Sequence, residues 1–211
     1  MAWVHALFRV DDPLPVPPGQ SPFRTRGLYY DRMMARLRAD VGASKLLDAI
    51  DDDRVRAFAS QKFSWTGWYD AFPAKPITAV AARFLGGDFE DAVRDRTRAG
   101  ALDVIPSAFR IAFRIPGPAA ISQHAAAIAT QMMDFVNVEI DEAKDDHTSG
   151  WGRGVPLYIA PHTANTTIGF FGAMFEMRGA KNVRGGYTEV VKDGQRHGYE
   201  TVAIRYEFSW R

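Results

Sequence analysis

"VNVEIDEA", residues 136–143, marks the point where the periodicity of the chain changes. Val136, Val138 and Ile140 alternate with polar neighbours, the period-2 pattern of a half-buried strand. Upstream of it, apolar residues recur every three or four positions. A chain that is helical before such a point and strand-forming after it belongs to the α+β class, with helices gathered against an antiparallel sheet. Downstream, "DDHTSGWGRG" (145–154) reads as a turn or loop and "VPLYIAP" (155–161) as the next strand. "NTTIGFFGAMFEMRG" (165–179) returns to helical spacing, with Ile168, Phe171, Met174 and Phe175 inward and Gly179 as the stop. The closing "NVRGGYTEVVKDGQRHGYETVAIRYEFSW" (182–210) reads as a hairpin turning at Asp193-Gly194, with Val202, Ile204, Tyr206 and Phe208 on one face. The expected architecture is a helical N-terminal half packed on a C-terminal antiparallel sheet with one embedded helix.

The helical half begins at "RGLYYDRMMARLRADVG" (26–42), whose Leu28, Tyr29, Met33, Leu37 and Val41 share a face and whose Gly42 suits a C-terminal stop. "ASKLLDAIDDDRVRAFAS" (43–60) predicts one or two short helices with a boundary near Asp51 to Asp53. "PITAVAARFLGG" (76–87) places Ile77, Val80, Ala81 and Phe84 on one face. "DFEDAVRDRTRAG" (88–100) starts with Asp88 at an N-cap. "DVIPSAFRIAFRIPG" (103–117) predicts a separate helix, and "PAAISQHAAAIATQMMDFV" (118–136) a longer one with Pro118 in its first turn. Between two of these helices, "FSWTGWYDAFPAKPI" (63–77) forms a corner: Gly67 permits the bend, and Pro73 and Pro76 limit entry into the next helix. Trp65 and Trp68 fall on opposite sides of that corner, so one of them is expected inside. Core packing of Trp68 is the expectation, with a pocket wall or partner surface as its rival.

The 211 residues suffice for one substantial core and are short for two. Residues 1–23 form an arm ("AWVHALFRV", 2–10) and a linker with five prolines from Pro13 to Pro22; residues 24–211 form one domain. The linker is expected to be extended rather than part of a sheet. The net charge is +1, from 26 basic and 25 acidic residues, which lacks the basic excess of a nucleic-acid binder. The chain contains no cysteine, so disulfides, iron–sulfur clusters and thiolate zinc sites are excluded. Neither a signal peptide nor a run of about 20 apolar residues is present, and a soluble, cytoplasmic protein off the membrane is expected.

"RGLYYDRMMARLRADVG", "SWTGWYDAFPAKPI" and "ARFLGGDFEDAVRDR" resemble a paralogue-rich family of uncharacterised proteins from myxobacteria. The strand–helix–hairpin from Val155 to Trp210 is similar to the C-terminal half of 4-vinyl-reductase-type domains, small-molecule-binding modules distantly related to haem-NO-binding domains. The resemblance implies a cavity between helices and sheet, frequent homodimers and no catalytic residue. The zinc that cysteines hold in many such domains is not carried over to this cysteine-free chain.

Candidate chemistry is sparse. His124 lies on the apolar face of its helix, i+3 from Ile121 and i−4 from Ile128. A haem-binding relative needs an axial histidine of that kind, whereas a core histidine satisfied by one hydrogen bond is the commoner case. Met132 and Met133 stand nearby. His162 precedes the embedded helix, where Thr163 or Asn165 is expected as the cap. No two histidines have metal-ligand spacing, and no metal site is expected. Asp88, Asp91 and Asp95 alternate with arginines and read as a solvated face. "GWGRG" (150–154) matches no phosphate loop and reads as a flexible connection or bulge. Arg110 and Arg114, beside Phe109 and Phe113, either reach an anionic ligand or snorkel to solvent, and snorkelling is the expectation.

The leading reading is therefore a non-catalytic small-molecule-binding or sensory domain, a homodimer whose apolar cavity takes a small apolar or aromatic ligand without a required cofactor. Trp68, Tyr69, Phe109, Phe113, His124, His162 and Phe171 are its candidate contacts. Alternatives are a haem or other tetrapyrrole protein using His124 or His162, and a lyase, isomerase or cyclase with Asp70, His124 or His162 as a lone acid or base. A protein-binding adaptor is the fourth.

Overall fold

The computed structural model describes residues 9–108 and 117–211, with the side chains of 102–108 and 119 left aside. The arm up to residue 8, and Phe109, Arg110, Phe113 and Arg114, lie outside the described residues. In chain order the elements are β1 (Arg24–Arg26), α1 (Gly27–Val41), α2 (Ala43–Asp48), α3 (Asp53–Ser60), β2 (Trp68–Asp70), α4 (Ala74–Leu85), α5 (Phe89–Ala108), α6 (Ala119–Met132), β3 (Asn137–Ala143), β4 (His147–Pro156), α7 (Ala160–Met177), β5 (Arg184–Arg196) and β6 (Tyr199–Ser209). The architecture is α+β, as the period change at 136 indicates. No helix of the described residues is long and apolar enough to cross a membrane.

The larger sheet is antiparallel throughout, in the order β3-β4-β6-β5. Val202, Ile204, Tyr206 and Phe208 of β6 are buried together with Ile168, Phe171, Met174 and Phe175 of α7. Ring contacts from Phe175 to Phe208 at 5.3 Å and to Trp210 at 4.6 Å seal that layer. β3 is an edge strand, so Ile140 remains 40% exposed instead of half-buried.

"DDHTSGWGRG" is not a loop: from His147 onward it forms β4, which runs to Pro156, and Leu157–Ile159 is a 3-10 turn rather than a strand. The glycines mislead because here they serve close approach. A Cβ at Gly150 would stand 2.3 Å from the Glu139 carbonyl oxygen across the ladder. A bulge separates Gly152 from Val155, and the Gly154 amide donates to Asp193 Oδ2 at 2.8 Å. That contact holds Asp193 within β5. The hairpin turns instead at His197-Gly198, with φ of 52° and 82°, the left-handed pair that a two-residue turn matched to strand twist requires.

In the helical half, α2 and α3 divide where expected, and Asp52 caps α3 by accepting from the Arg54 and Val55 amides. α1 buries two faces, not one. Tyr30 and Met34 are buried alongside Leu28 and Leu37, and Tyr30 stacks on Phe63 at 4.8 Å, while Tyr29 faces the other layer. α5 does not stop at Gly100 but continues to Ala108. Phe84, expected inside, is 50% exposed at the end of α4.

The aromatic corner also differs from expectation. Phe63 and Phe72 are buried and Tyr69 packs against Phe63, yet Trp65 and Trp68 are both exposed, by 48% and 40%. The cause is β2, a three-residue strand paired with β1, in which alternation turns Tyr69 inward and Trp68 outward. Guanidinium groups cover the outer rings, Arg26 over Trp68 at 4.1 Å and Arg32 over Trp65 at 4.7 Å. The proline linker packs here through Asp70, whose Oδ2 accepts from the Gly19 and Ser21 amides at 2.8 and 3.1 Å.

Candidate functional site

α7 begins at Ala160, directly after the 3-10 turn, with Pro161 in its first turn. His162 therefore lies inside the helix, and neither Thr163 nor Asn165 caps it. Asn165 instead accepts from Arg94 Nη2 of α5 at 2.9 Å and donates to the Pro161 carbonyl at 2.9 Å, which locks the helix start to its neighbour. That lock sets the rotation of α7. His162, Thr163, Thr166 and Phe170 then face a cavity of about 110 Å³.

The opposite wall comes from α6, through Ala125, Ile128, Ala129 and Met132. The sheet closes the floor with Val138, Gly152, Tyr206 and Phe208, and Met133 and Phe135 close one end. Small residues on α6 leave the space that larger ones would fill. A second chamber of about 60 Å³ lies between α1, α4 and α5. Tyr29, Thr97, Met132, His162 and Phe170 line both chambers, so these five side chains form the partition.

At the centre of the partition, Tyr29 Oη and His162 Nε2 are 2.9 Å apart. Burial, helped by the charge of Lys75, lowers the His162 pKa to about 3, so its imidazole is neutral at physiological pH. Burial also raises the Tyr29 phenol well above its usual value. The pair is thus a neutral hydrogen bond, and in this setting it forms without the cost of a buried charge. Lys75 is itself buried, with Nζ 4.1 Å from the Tyr158 ring centre, and desolvation lowers its pKa to about 8.

Of the sequence candidates, His162 and Phe171 line the cavity. Tyr69 belongs to the aromatic cluster around Tyr30 and Phe63, and Trp68 faces outward; neither is on the cavity wall. His124 is half-buried, its Nδ1 2.9 Å from the Ala120 carbonyl, and stands off the wall. Phe109 and Phe113 fall outside the described residues. Asp70, weighed as an acid or base, spends its carboxylate on three backbone amides, the third being Phe72 N at 3.0 Å. Among the described residues no three His, Asp or Glu side chains are grouped to hold a metal ion.

Tyr29 was the residue the sequence concealed. Adjacent tyrosines on one helix point about 100° apart, so Tyr29-Tyr30 already implies that α1 touches two layers. The three threonines of "HTANTT" (162–167) were a second signal, being polar residues on an otherwise apolar, buried helix.

No protein-family model matches the chain, and no curated protein matches it. Solved structures do. An oxygen-binding H-NOX domain related to soluble guanylate cyclases, in its oxygen complex, shares 10% identity at a TM-score of 0.59, over 88% of this chain and 95% of that one. A point mutant of the T. tengcongensis H-NOX shares 10% identity at 0.61, over 88% and 97%. A Cs H-NOX mutant carrying the unnatural amino acid 4-cyano-L-phenylalanine shares 10% identity at 0.64, over 88% and 96%. At such identity the likeness is one of fold: this chain has the architecture of a haem-NO-binding-like domain.

Proposed function

We propose that this chain is a sensory domain that binds a haem, or a related flat and largely apolar group, in the cavity between α6, α7 and the sheet. The observation that carries the reading is an apolar cavity with a neutral imidazole on its wall, in a fold shared with domains described as oxygen-binding and as tuning haem potential. The donor chemistry suits such a group, whose entry requires α6 and α7 to part beyond the present gap of about 110 Å³. A neutral imidazole is the ligating form, and His162 is held in it by burial. Met132 and Met133 add thioethers to the same wall. When bound, haem iron supplies a coordination position for a small gas, and the polarity around it decides what is held there. Here Tyr29, Thr97, Thr163 and Thr166 are hydroxyl groups on that wall. The homodimer and the kinship with the myxobacterial family belong to this reading as expectations; size-exclusion elution near twice the chain mass tests the first.

A second reading, a haem-free cavity for a small apolar ligand, is favoured by one observation: His162 Nε2 is already engaged by Tyr29. Absorbance spectra of the protein after haem addition separate the two. A Soret band that shifts or disappears in His162→Ala and persists in His124→Ala supports haem on His162. Absence of any band removes haem. Native mass spectrometry then distinguishes a co-purifying small molecule from a domain that binds protein only.

A further inference from the structure

We propose that the corner between α3 and α4 docks on the surface of an anionic lipid bilayer, through the indoles of Trp65 and Trp68 together with Arg24, Arg26, Arg32 and Lys62. The corner lies apart from the cavity, since neither indole lines either chamber, and its role does not depend on haem. Both rings stand in solvent, 48% and 40% exposed, which is uncommon for a side chain with so much apolar area to bury. Pairing of β2 with β1 turns Trp68 outward, and a turn closed by the Gly67 amide on the Ser64 carbonyl at 3.0 Å carries Trp65. Each ring is fixed where it stands. Trp65 Nε1 donates to Asp31 Oδ2 at 2.9 Å and Arg32 lies over its ring. Arg26 lies over Trp68 at 4.1 Å while donating to the Gln131 and Thr66 carbonyls at 3.0 and 2.7 Å. Rings already held in an exposed position lose little further freedom when they make contact.

The charge around the rings selects the partner. Arg26 spends its donors on carbonyls and Arg24 reaches only the Gly19 carbonyl, so among the described residues neither is ion-paired with a carboxylate. Lys62, exposed three residues before Trp65, has no such pair among them either. Asp31 offsets Arg32, its Oδ2 3.8 Å from Arg32 Nε, and Asp134 stands beside Arg24, accepting from its amide at 2.8 Å. Four cations against two carboxylates leave the corner positive, in a chain whose net charge is only +1. Indole and guanidinium side by side match the headgroup zone of a bilayer, where tryptophan sits at the boundary of polar and apolar layers and basic groups meet anionic lipids. Such a contact needs no spanning helix. A second copy of the chain would bring the same excess charge against itself in a two-fold contact. Stacked bases would need the ring faces, and a guanidinium already takes one face of each.

Co-sedimentation of the full chain with lipid vesicles tests the proposal. Partitioning at about 0.1 M salt onto phosphatidylcholine containing roughly 30% phosphatidylserine should exceed that onto phosphatidylcholine alone by at least about tenfold. Raising the salt to about 0.5 M should remove most of that difference. The Trp65→Ser, Trp68→Ser double variant should bind about tenfold more weakly or worse. Arg24→Gln with Lys62→Gln leaves the ring-covering arginines in place and should weaken binding by roughly tenfold as well. If the indole variant does not fold, the charge variant carries the test. Equal partitioning onto the two vesicles, no partitioning onto either, or partitioning indifferent to both variants overturns the proposal. A dimer in size exclusion that the indole variant converts to monomer makes the corner a subunit interface, and overturns it too. None of these outcomes bears on the cavity, whose reading is tested by ligand binding.

Discussion

α7 has two long flanks, and the protein treats them in opposite ways. Toward α5 the helices touch backbone to backbone: a Cβ at Gly169 would stand 2.3 Å from the Arg94 carbonyl oxygen. Polar clasps fasten both ends of this flank, Arg94 to Asn165 and Arg98 to Glu176. Toward α6 there is little direct contact, and the gap is the cavity. Both flanks use small residues, so residue size alone does not decide which one closes. The closed flank has glycine at the crossing point and charged groups to fix its register. The open flank has Ala125, Ala129 and Met132 of α6 on one wall of the cavity and Phe170 of α7 on the other. Small residues therefore make contact in one place and space in the other, according to what surrounds them.

The largest way to break this contrast is Gly169→Val. The branched side chain meets the α5 backbone, which has no flexible end to yield, and a loss of about 3 kcal/mol or more is expected in urea unfolding. A variant of wild-type stability would mean that the flank is not closed.

The open flank is probed by pH. An unfolded imidazole takes up a proton as pH falls through its ordinary value of 6.5, whereas folded His162 resists until about 3. Between those values the unfolded state binds more protons, so stability falls as pH falls and is unaffected by this group above the window. The wild type is expected to lose roughly 2–3 kcal/mol from about pH 6.5 to about pH 4 through this residue. His162→Leu should remove that part of the slope, whatever it does to stability at neutral pH. Identical slopes in the two proteins would show that the imidazole is not held neutral.

The smallest effect on stability is expected from Ala129→Leu, which fills the cavity from the α6 side. A change of less than about 1 kcal/mol should accompany loss of ligand uptake, since the added atoms enter free space. Unchanged binding of haem or of a co-purifying small molecule in that variant would place the ligand elsewhere.

Much of the fold was legible because it rests on periodicity. The change at residue 136, the apolar faces of α7 and β6, and the stops at Gly42 and Gly179 are all local patterns. Strand β4 was not legible. Glycine in a loop and glycine under a neighbouring strand look identical until the neighbour is in place, and Gly150 is of the second kind. The site was less legible still. Phe171 was found because it lies on an apolar helix and His162 because the pattern places it just before that helix, while Tyr29 comes from an element far away in sequence. Trp68 was misjudged because its outward direction depends on a three-residue pairing with β1.

By itself, then, the sequence determined the class of the fold, its helical half followed by a strand-rich half, the absence of thiolate chemistry and many of the apolar faces that build the core. Composition and period are properties of single segments, and burial of apolar surface enforces them wherever those segments pack. Only the tertiary structure decided that α7 closes on α5 and stands off from α6, and that Tyr29 meets His162 across 133 residues. Those outcomes depend on which backbones approach closely, and such distances are fixed by packing between segments.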